Sequence, residues 1–342
     1  MKIAIVRLSA MGDIIHSMAV LPFLKETFGE IRIDWVCDEA FAPLLEGHPL
    51  IHRVIPIPLK ALKKERTFSA IWAQIKRLRS FGPYDRVIDM QGLIKSALIA
   101  RILKGPAYGY DRHSLREAPA ALFYKRGSRV AYGLNVIQRA AELVNDVLGS
   151  AITKEMLMDK PPYLFYTQEA KEEVRGWLPS VPFAVIVTGA SWPSKIYPPF
   201  MMAHVAKALG MPVVVTWGSQ TEEMMAEEIV DNCPDAVKAP RLSLQGLVAL
   251  IDRAVIVVGG DTGPTHIAWA QNIPSVTIFG PTPYFRNTLE TPRHRTVHIG
   301  EPIDPKRLDR HDYRIMMIRP EAVVRAAKEA LAQASGPAKK EL

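Results

Sequence analysis

The stretch Val257-Val258-Gly259-Gly260-Asp261-Thr262-Gly263-Pro264-Thr265-His266 decides the fold of the second half of this 342-residue chain. The apolar, β-branched run from Ala254 to Val258 has the length of a strand. The residues from Pro264 onward predict a helix, since proline is favoured in a first helical turn. Backbone N–H groups and a helix N-terminus converge in the glycine-rich corner between them, which suits an anion such as phosphate. A tight turn with Asp261 or Thr262 as N-cap explains the same residues.

Corners of the same kind, in which a strand passes through a loop of small residues into a helix, recur along the chain. They follow strands predicted at residues 1–7, 85–89, 183–187, 212–218 and 275–279. Ligands bind at the carboxyl edge of an open α/β sheet, so polar side chains in these corners are candidate site residues. Two successive series of alternating strands and helices predict two Rossmann-like α/β domains. No GxGxxG sequence follows any of the strands, which counts against a nicotinamide or flavin domain.

Length and composition also divide the chain. A chain of 342 residues is long for a single core, and two domains are the better expectation. The pattern of strands and helices weakens around Pro161-Pro162, Pro179 and Pro182, where we place the connection. The predicted layout is an N-terminal domain over 1–160, a linker over 161–182, a C-terminal domain over 183–318, and a last helix with a disordered Lys/Glu tail over 319–342.

Charge is distributed unevenly between the two parts. Residues 1–150 contain 22 Lys and Arg against 14 Asp and Glu, whereas residues 151–342 contain 21 of each, so the net charge of +8 lies entirely in the first part. This asymmetry favours an anionic partner for the N-terminal half, such as nucleic acid, an acidic membrane or an acidic small molecule. A solvated basic face with no partner would show the same asymmetry.

Signals of secretion or membrane insertion are missing from the sequence. The first apolar run is too short for a signal peptide, because Asp13 follows it soon, and no stretch approaches the ~20 apolar residues of a spanning helix. Cys37 and Cys233 lie far apart and match neither a metal-ligand pattern nor a disulfide framework. We therefore expect a cytosolic enzyme.

The most basic part of the N-terminal half lies between residues 60 and 79. Its basic residues, set against the single acidic residue Glu65, are Lys60, Lys63, Lys64, Arg66, Lys76, Arg77 and Arg79. Apolar residues recur there at helical spacing, from Phe68 through Trp72 to Leu78. The pattern predicts either a basic amphipathic helix on a membrane surface or an ordinary helix packed on the sheet.

Three charged residues suit a role in the chemistry of a site. Asp13 begins the helix after the first strand, where it either caps that helix or acts as a general base beside a substrate cleft. Arg116 is a candidate for bidentate recognition of a carboxylate or phosphate, although a plain surface arginine is the default interpretation. Lys195 follows the hydroxyl- and glycine-rich residues 188–191, which suit a diphosphate but lack the spacing of a P-loop.

Together these corners resemble the lipopolysaccharide heptosyltransferase family, glycosyltransferase family 9, over nearly the whole chain. The motifs that carry the resemblance are Ser9-Ala10-Met11-Gly12-Asp13, Gln91-Gly92-Leu93 with Lys95-Ser96, Asp261-Thr262-Gly263 with His266, and Phe279-Gly280-Pro281-Thr282. The combination of Asp34-Trp35-Val36, Asp89-Met90-Gln91 and Arg116-Glu117 favours the group that adds the first heptose, heptosyltransferase I, over heptosyltransferase II. The resemblance implies the GT-B fold, in which two Rossmann-like domains face a cleft.

The resemblance also implies roles for individual residues, and Asp13 matches the catalytic base of the family. The residues that match donor contacts are Thr188, Lys195, Gln220, Leu242, Asp261, Thr262, Gly263 and His266. The residues expected to face the acceptor are Ser9, Met11, Gly12, Lys60, Lys63, Lys64, Gln91 and Arg116. Gln220 stands where relatives carry a glutamate for the ribose, so Glu222 and Glu223 stay open as alternatives.

The activity implied is the inverting transfer of L-glycero-D-manno-heptose from ADP-heptose to Kdo of Kdo-lipid A, with no cofactor and no metal ion. No Asp-x-Asp motif occurs in the sequence, and a basic loop can replace a divalent ion at a leaving diphosphate. Kdo carries a carboxylate and lipid A carries phosphates, which suit a basic N-terminal half. We expect a cytoplasmic protein, peripheral on the anionic inner face of the inner membrane.

Other functions compatible with the sequence are heptosyltransferase II, another transferase of the same fold with an ADP- or NDP-sugar donor, and a sugar-nucleotide epimerase. A basic, non-enzymatic nucleic-acid-binding protein is a more remote alternative. The basic residues lack a regular aromatic platform, and no RNA- or DNA-binding motif is visible, so no nucleic-acid partner is expected.

Overall fold

The computed structural model describes residues 1–65 and 67–334. The chain divides into two compact units, Met1–Phe165 and Tyr166–Leu342, and each contains one six-stranded parallel sheet. The division falls inside the segment predicted as a linker, and the same segment contains a helix that belongs to the second unit. Arg66 and the predicted Lys/Glu tail lie outside the described residues.

The first unit alternates strands with helices, as its sequence pattern predicts. Its strands are β1 (Lys2–Val6), β2 (Arg32–Asp38), β3 (Arg53–Ile57), β4 (Arg86–Asp89), β5 (Ala107–Tyr110) and β6 (Arg126–Ser128). Its helices are α1 (Met11–Met18), α2 (Leu21–Phe28), α3 (Ala42–Leu45), α4 (Leu59–Glu65), α5 (Phe68–Ser80), α6 (Ile94–Ile102), α7 (Val136–Leu148) and α8 (Lys154–Met158), with short 3-10 helices at Glu39–Phe41 and Ala118–Phe123.

The strand order of the first sheet is β3-β2-β1-β4-β5-β6, so the order reverses at β1. β1 pairs in parallel with β2 on one side and β4 on the other, which places Val6 opposite both Val36 and Asp89. Such a reversal leaves a crevice at the carboxyl ends of the two central strands, where ligands bind. The corners after β1 and β4 therefore lie side by side at this edge.

Helices bury their apolar faces against the first sheet. α1 packs against α7, which begins at the N-cap Asn135 and ends at Gly149 in the left-handed conformation with φ 77°. A core cluster joins Leu78 of α5 and Ile99 of α6 to strand residues such as Val87. The segment from 60 to 79 thus contributes to the core mainly through its C-terminal end.

The second unit repeats this architecture. Its strands are β7 (Ala184–Val187), β8 (Val213–Thr216), β9 (Ala236–Lys238), β10 (Ile256–Gly260), β11 (Ser275–Phe279) and β12 (His294–His298). Its helices are α9 (Gln168–Arg175), α10 (Pro199–Leu209), α11 (Gln220–Asp231), α12 (Leu244–Arg253), α13 (Gly263–Ala270), α14 (Tyr284–Asn287) and α15 (Pro320–Ala334), with 3-10 helices at Pro193–Lys195 and Arg314–Met317.

The second sheet has the order β12-β11-β10-β7-β8-β9, and β10 lies at its centre between β7 and β11. The fully buried residues Ile186, Val258 and Ile278 form its core together with Val323 and Ala327 of α15. Strands that are apolar along their whole length are typical of a parallel sheet covered on both faces. The corners after β7, β8, β10 and β11 consequently meet at one edge, and the predicted α/β fold class is confirmed.

Over residues 1–65 and 67–334, no helix is both long enough and apolar enough to cross a bilayer.

Candidate active site

The corner between β1 and α1 holds Asp13 in a fixed position. Asp13 lies in the first turn of α1, and its Oδ1 accepts an ion-pair contact from Arg7 Nη2 at 2.8 Å. The other carboxylate oxygen accepts the backbone N–H of Ala10 at 3.3 Å. The side chain nevertheless keeps 42% of its surface exposed. Asp13 therefore caps its helix and still offers a carboxylate at the ligand-binding edge of the sheet, so the two predicted roles are compatible.

Gln91 connects the corner after β4 to the corner after β1. Its side-chain oxygen accepts the backbone N–H of Leu8 at 2.8 Å, and Arg7 Nη1 donates to the carbonyl of Met90 at 2.7 Å. Both bonds span the two central strands of the first sheet. Arg7 thus contacts Asp13 with one nitrogen and the β4 corner with another, and it was not singled out from the sequence, although it directly follows the first strand.

The β4 corner is organised by the fully buried carboxylate of Asp89. It accepts hydrogen bonds from the backbone N–H groups of Gln91 and Gly92, from the Ser96 hydroxyl and from the Tyr124 hydroxyl. Burial raises the pKa of Asp89 above its usual range, because it outweighs these four hydrogen bonds, which lower it. Asp89 therefore shapes the loop that carries Gln91.

Arg116 lies in the loop that follows β5 and is exposed. Its neighbour Leu115 packs directly on Gly92, where an added Cβ would come within 2.4 Å of the leucine side chain. Glu117 accepts the backbone N–H of Ile94 at 2.8 Å and so satisfies a donor at the start of α6. These contacts place Arg116 beside the β4 corner.

The remaining residues predicted to face the acceptor lie at two further places in the first unit. Ser9, Met11 and Gly12 form the loop and the first turn that precede Asp13, and all three are partly exposed. The three lysines are exposed on the short helix α4, which follows β3; they are Lys60, Lys63 and Lys64. The structure places these lysines two strands away from β1 in the sheet order.

In the second unit, Asp261 is the centre of a buried polar cluster at the carboxyl end of β10. Lys195 Nζ lies 2.8 Å from its Oδ2, and His266 Nε2 lies 3.2 Å from its Oδ1. Oδ2 also accepts hydrogen bonds from the Thr282 hydroxyl at 2.8 Å and from the Asn287 amide at 3.0 Å. Lys195 reaches Asp261 because it follows β7, the strand that pairs with β10.

Neighbouring positive charge favours the ionised carboxylate of Asp261. Burial by itself raises the pKa of Asp261, but the Lys195 ammonium and the His266 ring outweigh it and hold the pKa well below its usual range. The Lys195 ammonium also lies 5.0 Å from the centre of the Trp192 ring, and the Arg310 guanidinium lies at the same distance from that ring. Asp261 therefore cannot itself attract an anion; it orients Lys195, which can.

The helix α13 starts directly beside this cluster. Its N-cap residue Thr262 has an extended backbone, and the Thr262 side chain makes no capping hydrogen bond within the part of the chain that the structure describes. Gly263 is the first helical residue and Pro264 the second. The free N–H groups of such a turn and the positive end of the helix dipole bind anions.

The corners after β7 and β8 meet at Glu222. Thr188 donates its hydroxyl to the carbonyl of Thr216 at 2.7 Å, which ties the two strand ends together. Glu222 accepts the backbone N–H groups of Gly218 and Ser219 at 2.8 and 3.2 Å. Gly189 has φ 72°, and an added Cβ there would lie 2.3 Å from the Glu222 side chain. The Glu222 carboxylate therefore lies between the corners that follow β7 and β8.

The three candidates for a ribose contact differ in their surroundings. Gln220 is exposed in the first turn of α11, and Glu223 forms an ion pair with Lys238 at 2.9 Å. Glu222 alone of the three lies against Gly189. Leu242 is partly buried in the loop that leads into α12, after β9.

The predicted donor contacts lie at one edge of the second sheet. Asp13 and Gln91 lie at one edge of the first sheet. Within 1–65 and 67–334, no group of three or more His, Cys, Asp or Glu side chains is arranged to hold a metal ion. Sequence reasoning missed Thr282 as a partner of Asp261, although it named the motif that contains it, and it missed Asn287 altogether.

Comparison with known proteins gives concordant matches over the chain. The family model described as glycosyltransferase family 9 (heptosyltransferase) matches residues 71–310. Lipopolysaccharide heptosyltransferase 1 of Campylobacter coli is 34% identical over 342 residues, covering 96% of this chain and 98% of that protein. The E. coli heptosyltransferase WaaC with ADP is 26% identical with a TM-score of 0.78, covering 96% of this chain and all (100%) of that one. Its complex with ADP-2-deoxy-2-fluoro heptose has the same identity, a TM-score of 0.75 and coverages of 98% and 100%.

Two Rossmann-like units with polar corners at their strand ends are the architecture of the GT-B glycosyltransferases, and the structural matches confirm that fold. The chain belongs to glycosyltransferase family 9, the heptosyltransferases. The family predicted from the sequence motifs, with its likeness to heptosyltransferase I, is confirmed.

Proposed function

We propose that the protein transfers L-glycero-D-manno-heptose from ADP-heptose to Kdo of Kdo-lipid A, as a heptosyltransferase I. The observation that carries the proposal is the buried cluster of Asp261, Lys195 and His266 beside the open N-terminus of α13. A cation and backbone N–H groups at this point suit the diphosphate of a nucleotide-sugar donor. The similar WaaC structures with ADP and with an ADP-heptose analogue support the identity of the donor.

Lys195 and the Thr262–Gly263 turn stabilise the leaving group in this proposal. Negative charge accumulates on the diphosphate as the bond to the heptose breaks, and donors that are already oriented stabilise that charge most effectively. Asp261 keeps the Lys195 ammonium in place at 2.8 Å. His266, Thr282 and Asn287 hold Asp261 in turn. Thr188 and Leu242 complete the donor site in this proposal; they follow β7 and β9, which lie on the same side of β10 in the sheet order.

Glu222, rather than Gln220 or Glu223, is the residue that we assign to the ribose hydroxyls. It lies at the meeting point of the β7 and β8 corners, whereas Glu223 is engaged by Lys238. Glu222→Gln should weaken ADP binding by roughly tenfold, the value of a lost charge-assisted hydrogen bond. Gln220→Ala and Glu223→Gln are the matched variants and should leave ADP affinity unchanged; a loss confined to Gln220→Ala would reverse the assignment.

Asp13 is the general base on the acceptor side. Its carboxylate accepts the proton of a Kdo hydroxyl while that oxygen attacks the anomeric carbon on the face opposite the departing ADP, so the configuration inverts. Positioned proton transfer of this kind accelerates a reaction by roughly 10²–10⁴-fold. Arg7 and the Ala10 N–H orient the carboxylate, and Gln91 fixes the loop around it.

The acceptor is an anionic lipid, and the basic residues of the first unit suit it. Arg116 and the lysines of α4 are exposed, and guanidinium and ammonium groups bind carboxylates and phosphates. Ser9, Met11 and Gly12 line the loop before the base. The same charges favour peripheral attachment to the cytoplasmic face of the inner membrane, at about 1 kcal/mol for each Lys or Arg near the surface. Equal sedimentation with anionic and neutral vesicles at low salt would contradict this attachment.

Transfer requires no divalent ion in this scheme, because Lys195 and backbone N–H groups neutralise the diphosphate. We expect the same rate with and without EDTA. Inactivation by EDTA that Mg²⁺ reverses would show that a metal ion takes part.

A matrix of donors and acceptors, read by mass spectrometry, tests the whole proposal. ADP-heptose with Kdo-lipid A should give a product heavier by one heptose, and the other combinations should give none. Transfer only to the monoheptosylated acceptor would identify a heptosyltransferase II instead. Conversion of the donor without any acceptor would indicate an epimerase, and a salt-dependent duplex shift with no transfer would indicate a nucleic-acid-binding protein.

A further inference from the structure

The helix α5 turns large apolar side chains outward in the first unit. Phe68 is 93% exposed, Ile71 45% and Trp72 65%, and these three residues form what we call the α5 outer face. Residues spaced by three and four lie on one side of a helix, so the three side chains are neighbours. Of the residues of α5, only Leu78 is buried. A helix on the surface of a domain normally turns such residues toward the core, so a cluster of exposed ones is typical of an interaction surface.

The elements next to α5 also expose apolar side chains. α6 packs against α5 and exposes Ile94 and Leu98, and the 3-10 helix Ala118–Phe123 packs against α6 and exposes Leu122 at 84%. These side chains and the α5 outer face belong to consecutive packed elements. Exposed apolar side chains therefore occur on three consecutively packed elements of the first unit.

The charged residues of α4, α5 and α6 are almost all basic. Neither α5 nor α6 contains an Asp or Glu, and Glu65 is the one acidic residue of α4. The exposed basic residues of the three helices are Lys60, Lys63, Lys64, Lys76, Arg79, Lys95 and Arg101. Lys76 and Arg79 lie on the same side of α5 as its outer face, about 12 and 17 Å beyond Phe68 along the helix at its rise of ~1.5 Å per residue.

We infer that the α5 outer face inserts into the headgroup region of an anionic phospholipid bilayer, with the surrounding basic residues on the lipid phosphates. Aromatic and aliphatic side chains flanked by Lys and Arg are the composition of helices that lie in a membrane interface. Self-association through this face would set like charges against each other, which disfavours a second copy as the occupant. The inference rests on the proposed function in one respect, because the proposed acceptor is a lipid. It adds apolar insertion to a membrane attachment that the proposed function explains by charge alone.

Salt separates the apolar component from the electrostatic one. At about 1 M salt the Debye length falls to about 3 Å, and attraction between surface charges is largely screened. Sedimentation with phosphatidylglycerol–phosphatidylethanolamine vesicles should therefore leave a salt-resistant fraction of the full-length protein on the membrane. Complete release at this salt concentration would overturn the inference.

Serine substitutions then test whether the side chains of the α5 outer face enter the bilayer. Phe68→Ser and Trp72→Ser should each lower the salt-resistant partition by roughly tenfold, the effect expected when a buried aromatic side chain is lost. Phe200→Ser, an aromatic that is 52% exposed on α10 in the second unit, is the matched control and should bind as the wild type does. Lys76→Gln with Arg79→Gln should reduce binding at low salt only. Unchanged salt-resistant partition in both serine variants would refute the assignment.

Trp72→Phe supplies a readout that does not depend on affinity. Acyl chains brominated near the headgroup should quench part of the tryptophan emission of the wild type, and that quenched part should be lost in Trp72→Phe while binding persists. Identical quenching in the two proteins would place the contact elsewhere. Self-association of the wild type that Phe68→Ser abolishes, without vesicle binding, would make the face an interface between copies and would also refute the inference.

Turnover with a Kdo acceptor that lacks lipid chains keeps this test independent of the proposed function. The serine variants should retain wild-type turnover on that acceptor. If the wild type itself transfers no heptose, the proposed function fails while vesicle partition still decides the membrane contact. If the serine variants lose turnover on the lipid-free acceptor as well, the α5 outer face belongs to the acceptor site rather than to a bilayer contact.

Discussion

Replacing Lys195 by Met tests the buried cluster of the second unit directly. The side chains of Lys195 and Asp261 are only 9% and 6% exposed, and their charges lie 2.8 Å apart. At an effective dielectric constant of about 20, that separation corresponds to an attraction of roughly 6 kcal/mol. Most of this attraction is offset by the cost of removing both charges from water. The pair as a whole therefore contributes little, but each charge depends on the other.

Removal of one partner from a buried pair costs about 3–5 kcal/mol, because the remaining charge is left uncompensated. Asp261 keeps its contacts with His266, Thr282 and Asn287 in Lys195→Met, so we expect the lower end, about 3 kcal/mol. Chemical denaturation of the full-length variant measures this loss. The folded-state pKa of Asp261 is lower than its ordinary value. The stabilisation that the ionised Asp261 gives the wild type is therefore fully present above the ordinary carboxyl pKa, and it is lost as the pH falls through the lower folded-state pKa.

A double-mutant cycle supplies the control. The variant that combines Lys195→Met with Asp261→Asn removes both charges and should recover much of the lost stability, so the two single effects are not additive. Lys195→Met should also weaken ADP binding at least tenfold, whereas Lys195→Arg should retain most of it. Additive effects in the cycle, or wild-type ADP affinity in Lys195→Met, would refute the role that we give the pair.

Three further predictions concern single substitutions, at Lys160, Gly92 and Arg7. Burial lowers the pKa of Lys160 from 10.5 to about 7; the free energy of unfolding of Lys160→Met relative to that of the wild type should therefore be highest below pH 7 and fall by up to about 5 kcal/mol as the pH rises to 10.5, measured by denaturation across that range. Gly92→Ala should destabilise the first unit by about 1–3 kcal/mol in denaturation experiments, because φ is 70° and the new Cβ would meet Leu115. Arg7→Met removes one of the groups that orient the Asp13 carboxylate and should lower kcat at least tenfold, while ADP affinity, measured by calorimetry, stays unchanged.

The strands with strong apolar patterns were predictable. The strand predicted at residues 275–279 is observed as Ser275–Phe279, and the strand predicted at residues 183–187 is observed as Ala184–Val187. The strands Ala107–Tyr110 and Arg126–Ser128 gave no signal, because they are short and contain glycine, which disfavours a strand on its own. Pairing with the neighbouring parallel strand, which the sequence does not reveal, orders these segments.

The sequence predicts which strand-to-helix corners hold the site residues, but not which side chains contact each other there. Glycine and polar residues after apolar strands identify Asp13, Gln91 and Asp261, because carboxyl ends of parallel strands must meet. That Lys195 binds Asp261 depends on the pairing of β7 with β10, a feature of the sheet order. The donor and acceptor assignments of individual residues stay predictions.

The most direct measurement of the central claim compares Asp13→Asn with the wild type in two assays on the same preparation. Calorimetry should give nearly equal ADP affinity, since Asp13 belongs to the first unit and the proposed diphosphate contacts to the second. Heptose transfer to Kdo-lipid A should fall by roughly 10²–10⁴-fold. Turnover of Asp13→Asn at the wild-type rate would contradict the account, because no carboxylate would then be needed to accept the proton of the acceptor.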